Sequence, residues 1–274
     1  MYGAIIGDIC GSLYEFNNFK TDTPSEIPIP ANVPVSDCSF SGNTVQICAM
    51  MDALLTRRNY KKALRRWANK YPNCGYDSNF VYWFSSRFPK PYRSLDNSAA
   101  MRAVAIGRAV FPPAKASIEA KRSTEVTHTH EESIKSAQAI ATAATWAYAE
   151  CSKKNIKYYL ENNFDYNFQR TLKDIRQGYA YSKDCQATVP EAIIAFLESE
   201  NYTSAIQNAI SLGGDSSTLA CITGGIAELY YEDTDNIPDN LFAYANRILP
   251  AEMITLLNKF YKKYYFNISF RGML

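Results

Sequence analysis

Glu131-Glu-Ser-Ile-Lys-Ser-Ala-Gln-Ala-Ile-Ala-Thr-Ala-Ala-Thr-Trp-Ala-Tyr-Ala-Glu-Cys151 is the stretch that decides the fold. Ile134, Ala137, Gln138, Ala141, Ala144 and Tyr148 recur in it at three- and four-residue spacing, the period of one helix face. Thr129-His-Glu-Glu132, just before it, has the form of a capping box. Working outward, Ile5, Ile9, Leu13 and Phe16 repeat the helical spacing near the start, as do Val45, Cys48, Ala49, Ala53 and Leu54 further on. Thr188-Val-Pro-Glu191 reads as a second capping box with Pro in the first turn, leading into the apolar run Ala192 to Leu197. Gly213-Gly214 is placed to end a helix over residues 203–212. A period-2 alternation long enough for a strand is hard to find. The expected fold is all-α, one domain over residues 1–274 with ten or more helices. The proline-punctuated stretch 20–40, with Pro24, Pro28, Pro30 and Pro34, reads as an ordered loop between the first two helices.

The chain has 274 residues, 47% hydrophobic and 14% aromatic, with 20 Tyr and 14 Phe, which is ample for a buried core and excludes a disordered chain. Lys and Arg number 29 against 27 Asp and Glu, a formal charge of +2, a near-balance that offers no electrostatic argument for a polyphosphate track, so nucleic acid is not an expected partner. No run reaches the roughly 18 apolar residues of a membrane span. Lys259-Phe-Tyr-Lys-Lys-Tyr-Tyr265 reads as an amphipathic surface helix, with too weak a basic face for a membrane role. Met1-Tyr-Gly-Ala-Ile-Ile-Gly-Asp8 lacks a basic leader region and carries an acid inside its apolar run, unlike a signal peptide. The seven cysteines, Cys10, Cys38, Cys48, Cys74, Cys151, Cys185 and Cys221, form no Cys-x-x-Cys pair, so the expectation is reduced thiols in a cytoplasmic protein.

Gly3, Gly7 and Gly11 fall four apart, and Glu15 continues the row. Glycine in a helix costs roughly 1 kcal/mol against alanine, so three on one stripe imply close approach by another backbone or a ligand. Asp8 and Glu15 are two turns apart and point to nearly the same side, which fits either solvated acids beside a packed helix or a helix lining a polar pocket. Two further segments share a design: Phe40-Ser-Gly-Asn-Thr44 before one apolar run, and Ser211-Leu-Gly-Gly-Asp-Ser-Ser-Thr218 before another. Each puts short oxygen-bearing side chains at a helix start. They suit capping of free N–H groups, an anion site, or, with enough carboxylates, a hard-cation site.

Taken together these segments resemble the ADP-ribosylglycohydrolase family over nearly the whole chain. Gly3-Ala-Ile-Ile-Gly-Asp-Ile-Cys-Gly-Ser-Leu-Tyr-Glu-Phe16 is similar to the family's amino-terminal helix, and Asn97 to Arg102, with Met101-Arg102, to its central substrate loop. Val126-Thr-His-Thr-His130 resembles its Thr-His segment, and Cys185 to Leu197 followed by Asn208 to Asp215 is the closest stretch. The resemblance implies a compact, orthogonal multi-helix domain. Its cleft holds ADP-ribose beside two Mg²⁺ ions and releases ADP-ribose from a modified side chain or small molecule. On this basis Glu15 and Asp215 are the catalytic candidates. Asn97, Ser98, Ala99, Met101, His128, Gly213 and Gly214 are the substrate-binding ones.

The departures are specific. Where the family has Thr-Asp-Asp-Thr, this chain has Ser41-Gly42-Asn43-Thr44, and where it has Asp-x-Asp-Thr, this chain has Asp215-Ser216-Ser217-Thr218. Gly42, Asn43 and Ser217 therefore stand at three expected carboxylates. The family's Gly-Asn-Gly-Ser is here Asp96-Asn97-Ser98-Ala99, which removes glycines and a serine that would approach the diphosphate. Two Mg²⁺ ions bring four positive charges that carboxylates must offset. At ~4 Å and an effective dielectric of about 20, each lost contact is worth on the order of 4 kcal/mol before desolvation. The expectation is no two-Mg²⁺ site. Ser41, Asn43, Asp215 and Thr218, helped by Glu15, hold either no metal or one weakly bound Mg²⁺. Three functions follow: an ADP-ribose-binding scaffold that has lost metal-dependent hydrolysis; a hydrolase working through Glu15 and Asp215 with little or no metal; or an interaction protein without a nucleotide pocket. His128 and His130 are equally open to roles as a helix cap or a core hydrogen-bonder.

Overall fold

The computed structural model describes residues 1–29, 38–56, 58–232 and 237–264. In chain order the α-helices are α1 (Tyr2–Ser12), α2 (Gly42–Leu55), α3 (Tyr60–Lys70), α4 (Ser78–Ser85), α5 (Ser98–Ala109), α6 (Pro113–Thr124), α7 (Glu131–Tyr148), α8 (Lys153–Phe164), α9 (Leu172–Gly178), α10 (Cys185–Leu197), α11 (Tyr202–Ile210), α12 (Ser216–Tyr231), α13 (Asp239–Ile248) and α14 (Ala251–Tyr264). The described residues contain no named strand; Tyr92 with His128 and Asp96 with Asp184 form isolated bridges. The all-α expectation holds. No described helix is long and apolar enough to cross a membrane, and no disulfide joins the described cysteines. Pro30, Pro34 and Tyr265 lie outside the described residues.

The glycine row explains itself through packing. α1 and α12 make the most extensive helix pair in the molecule. A methyl group added at Gly3, Gly7 or Gly11 would overlap the backbone oxygens of Gly224, Ala220 and Ser216 respectively. The two helices therefore meet backbone to backbone along three turns, with each α12 residue in that row four before the last. α7 packs on α5 by a similar device, for a methyl at Gly107 would overlap the Ala144 side chain. The alanines of α7 serve that contact, and its interior face is fully buried. Arg102, wholly buried in α5, ties three elements together. It donates to Gln46 Oε1 of α2 (3.0 Å), the Ser123 carbonyl of α6 (3.2 Å) and Thr127 Oγ1 (2.6 Å).

Four sequence expectations shift. α1 stops at Ser12, and Glu15 sits in a 3₁₀ turn, Glu15–Asn17, instead of continuing the glycine row. That turn ends at Asn18, which is left-handed (φ 43°) and whose Oδ1 accepts the Gly214 N–H at 3.0 Å. α7 begins one residue late for its Thr129 box, since His130 is the cap and its Nδ1 accepts the Glu132 N–H at 3.2 Å. α10 begins at Cys185, capped by Asp184, whose Oδ1 accepts the Gln186 N–H at 2.7 Å. Thr188 lies inside that helix, donating back to the Asp184 carbonyl at 2.9 Å, and Pro190 falls in the second turn. The absent proline N–H would have faced Gln186, which is exposed at the first turn, so the break is tolerated. α14, finally, is docked: Phe260 and Tyr264 are buried, and the Tyr261 hydroxyl bonds Glu228 of α12. The helix before Gly213-Gly214 is present as α11, with both glycines at positive φ (74° and 69°).

Gly7→Ala places a methyl against the Ala220 carbonyl, backbone on backbone, so no rotamer change can relieve it. The helix-propensity gain of about 1 kcal/mol is outweighed, and a net loss of about 2 kcal/mol is expected. Thermal unfolding followed by circular dichroism should show a midpoint lower by several degrees; an unchanged midpoint would contradict this helix contact.

Candidate functional site

Three helix starts converge on one polar cavity of about 520 Å³. Ser41, Gly42, Asn43 and Gln46 come from the start of α2, Asp96, Asn97 and Ser98 from that of α5, and Asp215, Ser217 and Thr218 from that of α12. Glu15, Tyr76, Asp77, Tyr181 and Lys183 complete the wall from the connecting loops. The convergence follows from the α1–α12 contact, which sets the start of α12 against the end of α1 and Asp8 beneath the start of α2.

Asp8 is completely buried and acts as a staple. Ser41 donates to it through its N–H (2.8 Å) and hydroxyl (2.6 Å), Thr44 through its N–H (3.3 Å) and hydroxyl (2.7 Å), and Asn43 through Nδ2 (3.2 Å). Burial pushes its carboxyl above the ordinary range, and the bonds from Ser41 and Thr44 pull against that. Ser41 caps α2 by accepting the Asn43 N–H at 3.0 Å. The Asn43 amide nitrogen also reaches Thr218 Oγ1 (3.2 Å) and Ser217 Oγ (3.5 Å), so it bridges the two half-sites. Its O/N orientation is fixed by the Asp8 carboxylate, which accepts only.

Asp215 caps α12 through Oδ1, which accepts the Thr218 N–H at 3.3 Å and faces Ser217 Oγ at 3.4 Å; Oδ2 accepts from Asn97 Nδ2 at 2.9 Å. Asn97 also donates to Thr188 Oγ1 (3.0 Å), and α5 consequently starts without a side-chain cap. Burial raises the Asp215 carboxyl; its bonds from Asn97 and Thr218 oppose the rise. Glu15 is half-buried, and its carboxyl is raised by burial and then by the Asp215 carboxylate. Asp96 goes the other way. Burial alone would raise it, yet its contacts with His128 and with Ser98, whose N–H it accepts at 3.0 Å, hold it below the ordinary range.

Of the residues expected at the site, the structure brings together Glu15, Ser41, Asn43, Asn97, Ser98, Asp215 and Thr218. His128 is fully buried behind Asp96, its Nε2 3.7 Å from Asp96 Oδ1, its Nδ1 2.8 Å from Thr127 Oγ1 and its ring against Tyr92; it does not line the cavity. Burial and then Arg102 push its imidazole below the ordinary range, so it stays neutral. Ala99 and Met101 are buried within α5, and Gly213 and Gly214 form the turn held by Asn18, also off the cavity. Tyr76, Tyr181 and Lys183 are wall residues that no spacing in the sequence marks. Tyr76 has a steric consequence: a Cβ at Gly42 would come within 2.5 Å of its ring. Among the described residues no three His, Cys, Asp or Glu side chains are grouped so as to hold a metal ion.

Residues 1–265 match the family model described as ADP-ribosylglycohydrolase. A solved structure described as an "ADP-ribosylglycohydrolase-related protein complex" superposes with a TM-score of 0.70 at 20% identity, covering 95% of this chain and 94% of that chain, a likeness of fold. Comparison with curated proteins returns no match.

Because the Asp215 carboxyl is raised in the fold, its contribution to stability is present at low pH and is lost as pH rises through its folded value. Asp215→Asn, which keeps a helix-capping side chain, should therefore raise the melting temperature at pH about 8 and leave it nearly unchanged at pH about 4. A melting temperature lowered at the higher pH would show that the carboxylate is stabilised where it sits.

Proposed function

Since the chain belongs to the ADP-ribosylglycohydrolase family, we propose that its cleft binds ADP-ribose or a related nucleotide and that metal-dependent hydrolysis has been lost. The observation that carries this reading is the hydrogen-bond bridge through Asn43. Where a paired-ion site needs lone pairs and negative charge, the Asn43 amide presents N–H donors to Ser217 and Thr218. Those hydroxyl oxygens are thereby engaged by the protein itself. Gly42 offers no ligand, and the Tyr76 ring fills the space a carboxylate there would need. Asp8, though close, is saturated by its five donors. These residues do not fit a pair of Mg²⁺ ions. A single cation held weakly by Asp215 and Thr218 is the most the donor set allows.

What remains suits recognition. A cavity of about 520 Å³ lies within the range of small-molecule sites, which weighs against a scaffold lacking any pocket. Asp215 and Glu15 line the cavity and would accept from ribose hydroxyls, and Ser98 at the start of α5 faces the same space. One observation favours a second reading, a metal-independent hydrolase. Glu15 is raised by burial and by Asp215, which suits a proton donor to a leaving group beside a second carboxylate.

Calorimetry should show ADP-ribose binding that a chelator leaves unchanged, and no ADP-ribose should be released from ADP-ribosylated arginine or serine peptides with Mg²⁺ present. Chelator-sensitive turnover overturns the first reading; chelator-insensitive turnover abolished by Glu15→Gln establishes the second. A gain-of-metal variant probes the cause. Gly42→Asp, Asn43→Asp and Ser217→Asp combined with Tyr76→Ala should acquire Mg²⁺ binding by calorimetry, whereas the same three changes with Tyr76 intact should not.

A further inference from the structure

The cavity wall is rich in acid: Glu15, Asp77, Asp96 and Asp215 face it, and Lys183 is its one basic side chain among the described residues. A ligand carrying phosphate must find positive charge in such a space, and the donor set described above holds no cations strongly. Lys183 is placed to supply that charge. It sits on the short connection between α9 and α10, and its backbone is fixed. The Lys183 carbonyl accepts the Asn97 N–H at 2.9 Å, and the next turn is held by the Cys185 N–H on the Leu95 carbonyl at 2.8 Å. The connection thus runs antiparallel to the entry of α5 through the Asp96–Asp184 bridge. The side chain itself is exposed, and its ammonium makes no hydrogen bond or ion pair with a described residue, so it is available to a ligand.

A second observation marks where that ligand would lie. Ser98, the first residue of α5, lines the cavity, and its hydroxyl is buried with no partner among the described residues. α5 has no side-chain cap because Asn97 is committed to Asp215 and Thr188. The first N–H of α5 is taken by Asp96, so what the helix start offers the cavity is the one unsatisfied hydroxyl of Ser98, beside the loop that carries the free ammonium. An acceptor-rich dianion satisfies both the hydroxyl and the ammonium at once. A neutral sugar would leave the ammonium without its partner.

We propose that Lys183 is the anion-recognition residue of this cavity, holding the diphosphate of a nucleoside-diphosphate ligand against the start of α5. Lys183 sets preference for diphosphate-bearing ligands without touching the Glu15–Asp215 pair. This rests on the nucleotide-binding reading above and adds to it a residue outside the family motifs. Part of the wall's charge is offset by the same ammonium, which opposes the upward shifts of both Glu15 and Asp215.

The test is calorimetric titration of ADP-ribose into the full chain, its Lys183→Ala variant and its Lys183→Arg variant over a series of NaCl concentrations. Lys183→Ala should weaken binding on the order of tenfold and flatten the fall of affinity with salt, while Lys183→Arg should keep both the affinity and the slope. Melting temperatures of the three proteins should agree within about 2 °C, since the exposed ammonium makes no hydrogen bond or ion pair with a described residue. Wild-type affinity in Lys183→Ala, or weakened binding with the salt slope unchanged, overturns the assignment and leaves the nucleotide-binding reading standing. Absence of ADP-ribose binding in the unaltered chain overturns that reading and the assignment with it.

Discussion

The backbone contact between α1 and α12 is the constraint on which the site depends. Its three glycines let the two helix axes come closer than side chains allow, and the cost of placing glycine in a helix is met by burying almost the whole of α12. Closeness fixes register. With Gly11 against Ser216 at one end, Ser216 Oγ donates to the Gly11 carbonyl at 3.1 Å, and the start of α12 cannot slide. Asp8, one residue from the glycine row, is then carried to the start of α2. Chemistry at the cleft thus begins with a packing decision made on the far side of two helices.

Once α1 is fixed, a buried carboxylate with five donors does the joining that divalent ions would do between two loops. A bare carboxylate at the Asp8 position would be costly to bury. Ser41 and Thr44 each contribute a backbone and a hydroxyl donor, and so the charge is met from the helix start itself, where the dipole also favours it. Asn43 extends the web to α12. A neutral amide can bridge Asp8 to Thr218 because it offers two N–H donors to acceptors on either side. An aspartate there would put a second negative charge 3.2 Å from the first with nothing between them. Asn43 and Ser217 thus meet across the two half-sites through hydrogen bonds, where carboxylates at both positions with no cation between them would repel each other.

Helical class and the two half-sites were legible because their signals are local. The three-four spacing of residues 134–148 needs only one helix face, and Ser41 and Asp215 are capping residues wherever they occur. Boundaries were less legible where a distant partner decides them. The spacing Ile5, Ile9, Leu13, Phe16 runs past Ser12 without interruption, yet the helix stops there, and the 3₁₀ turn that carries Glu15 ends at Asn18, which is bonded to Gly214, 196 residues away. Thr188-Val-Pro-Glu191 has the composition of a helix start, yet Asp184 caps first and proline is tolerated in the second turn. Within the site, His128 reads as a ligand contact from its segment alone. Its burial behind Asp96 depends on Tyr92 and Thr127, which no spacing connects to it in advance. Tyr76 and Lys183 lie in loops, and their place at the cavity comes only from how α3, α4, α9 and α10 pack.

The carboxyl shifts sort the wall into two kinds of acid. Asp96 is held below the ordinary range by His128 and the Ser98 N–H, so it stays ionised and serves to orient the entry of α5. Glu15 and Asp215 are raised by burial and Glu15 also by the Asp215 carboxylate, so each holds its proton more tightly than in water. Such a pair is poised to accept from hydroxyls when ionised and to donate to an oxygen when one member is protonated. Binding needs only the first capacity. Hydrolysis needs the second together with a positioned water, which in this wall would have to be held by Asp215, Ser217 or Asn97, each already bonded to a neighbour. A ligand hydroxyl at Asp215 meets the same committed bonds, so recognition and hydrolysis differ at this wall in the positioned water that only hydrolysis requires.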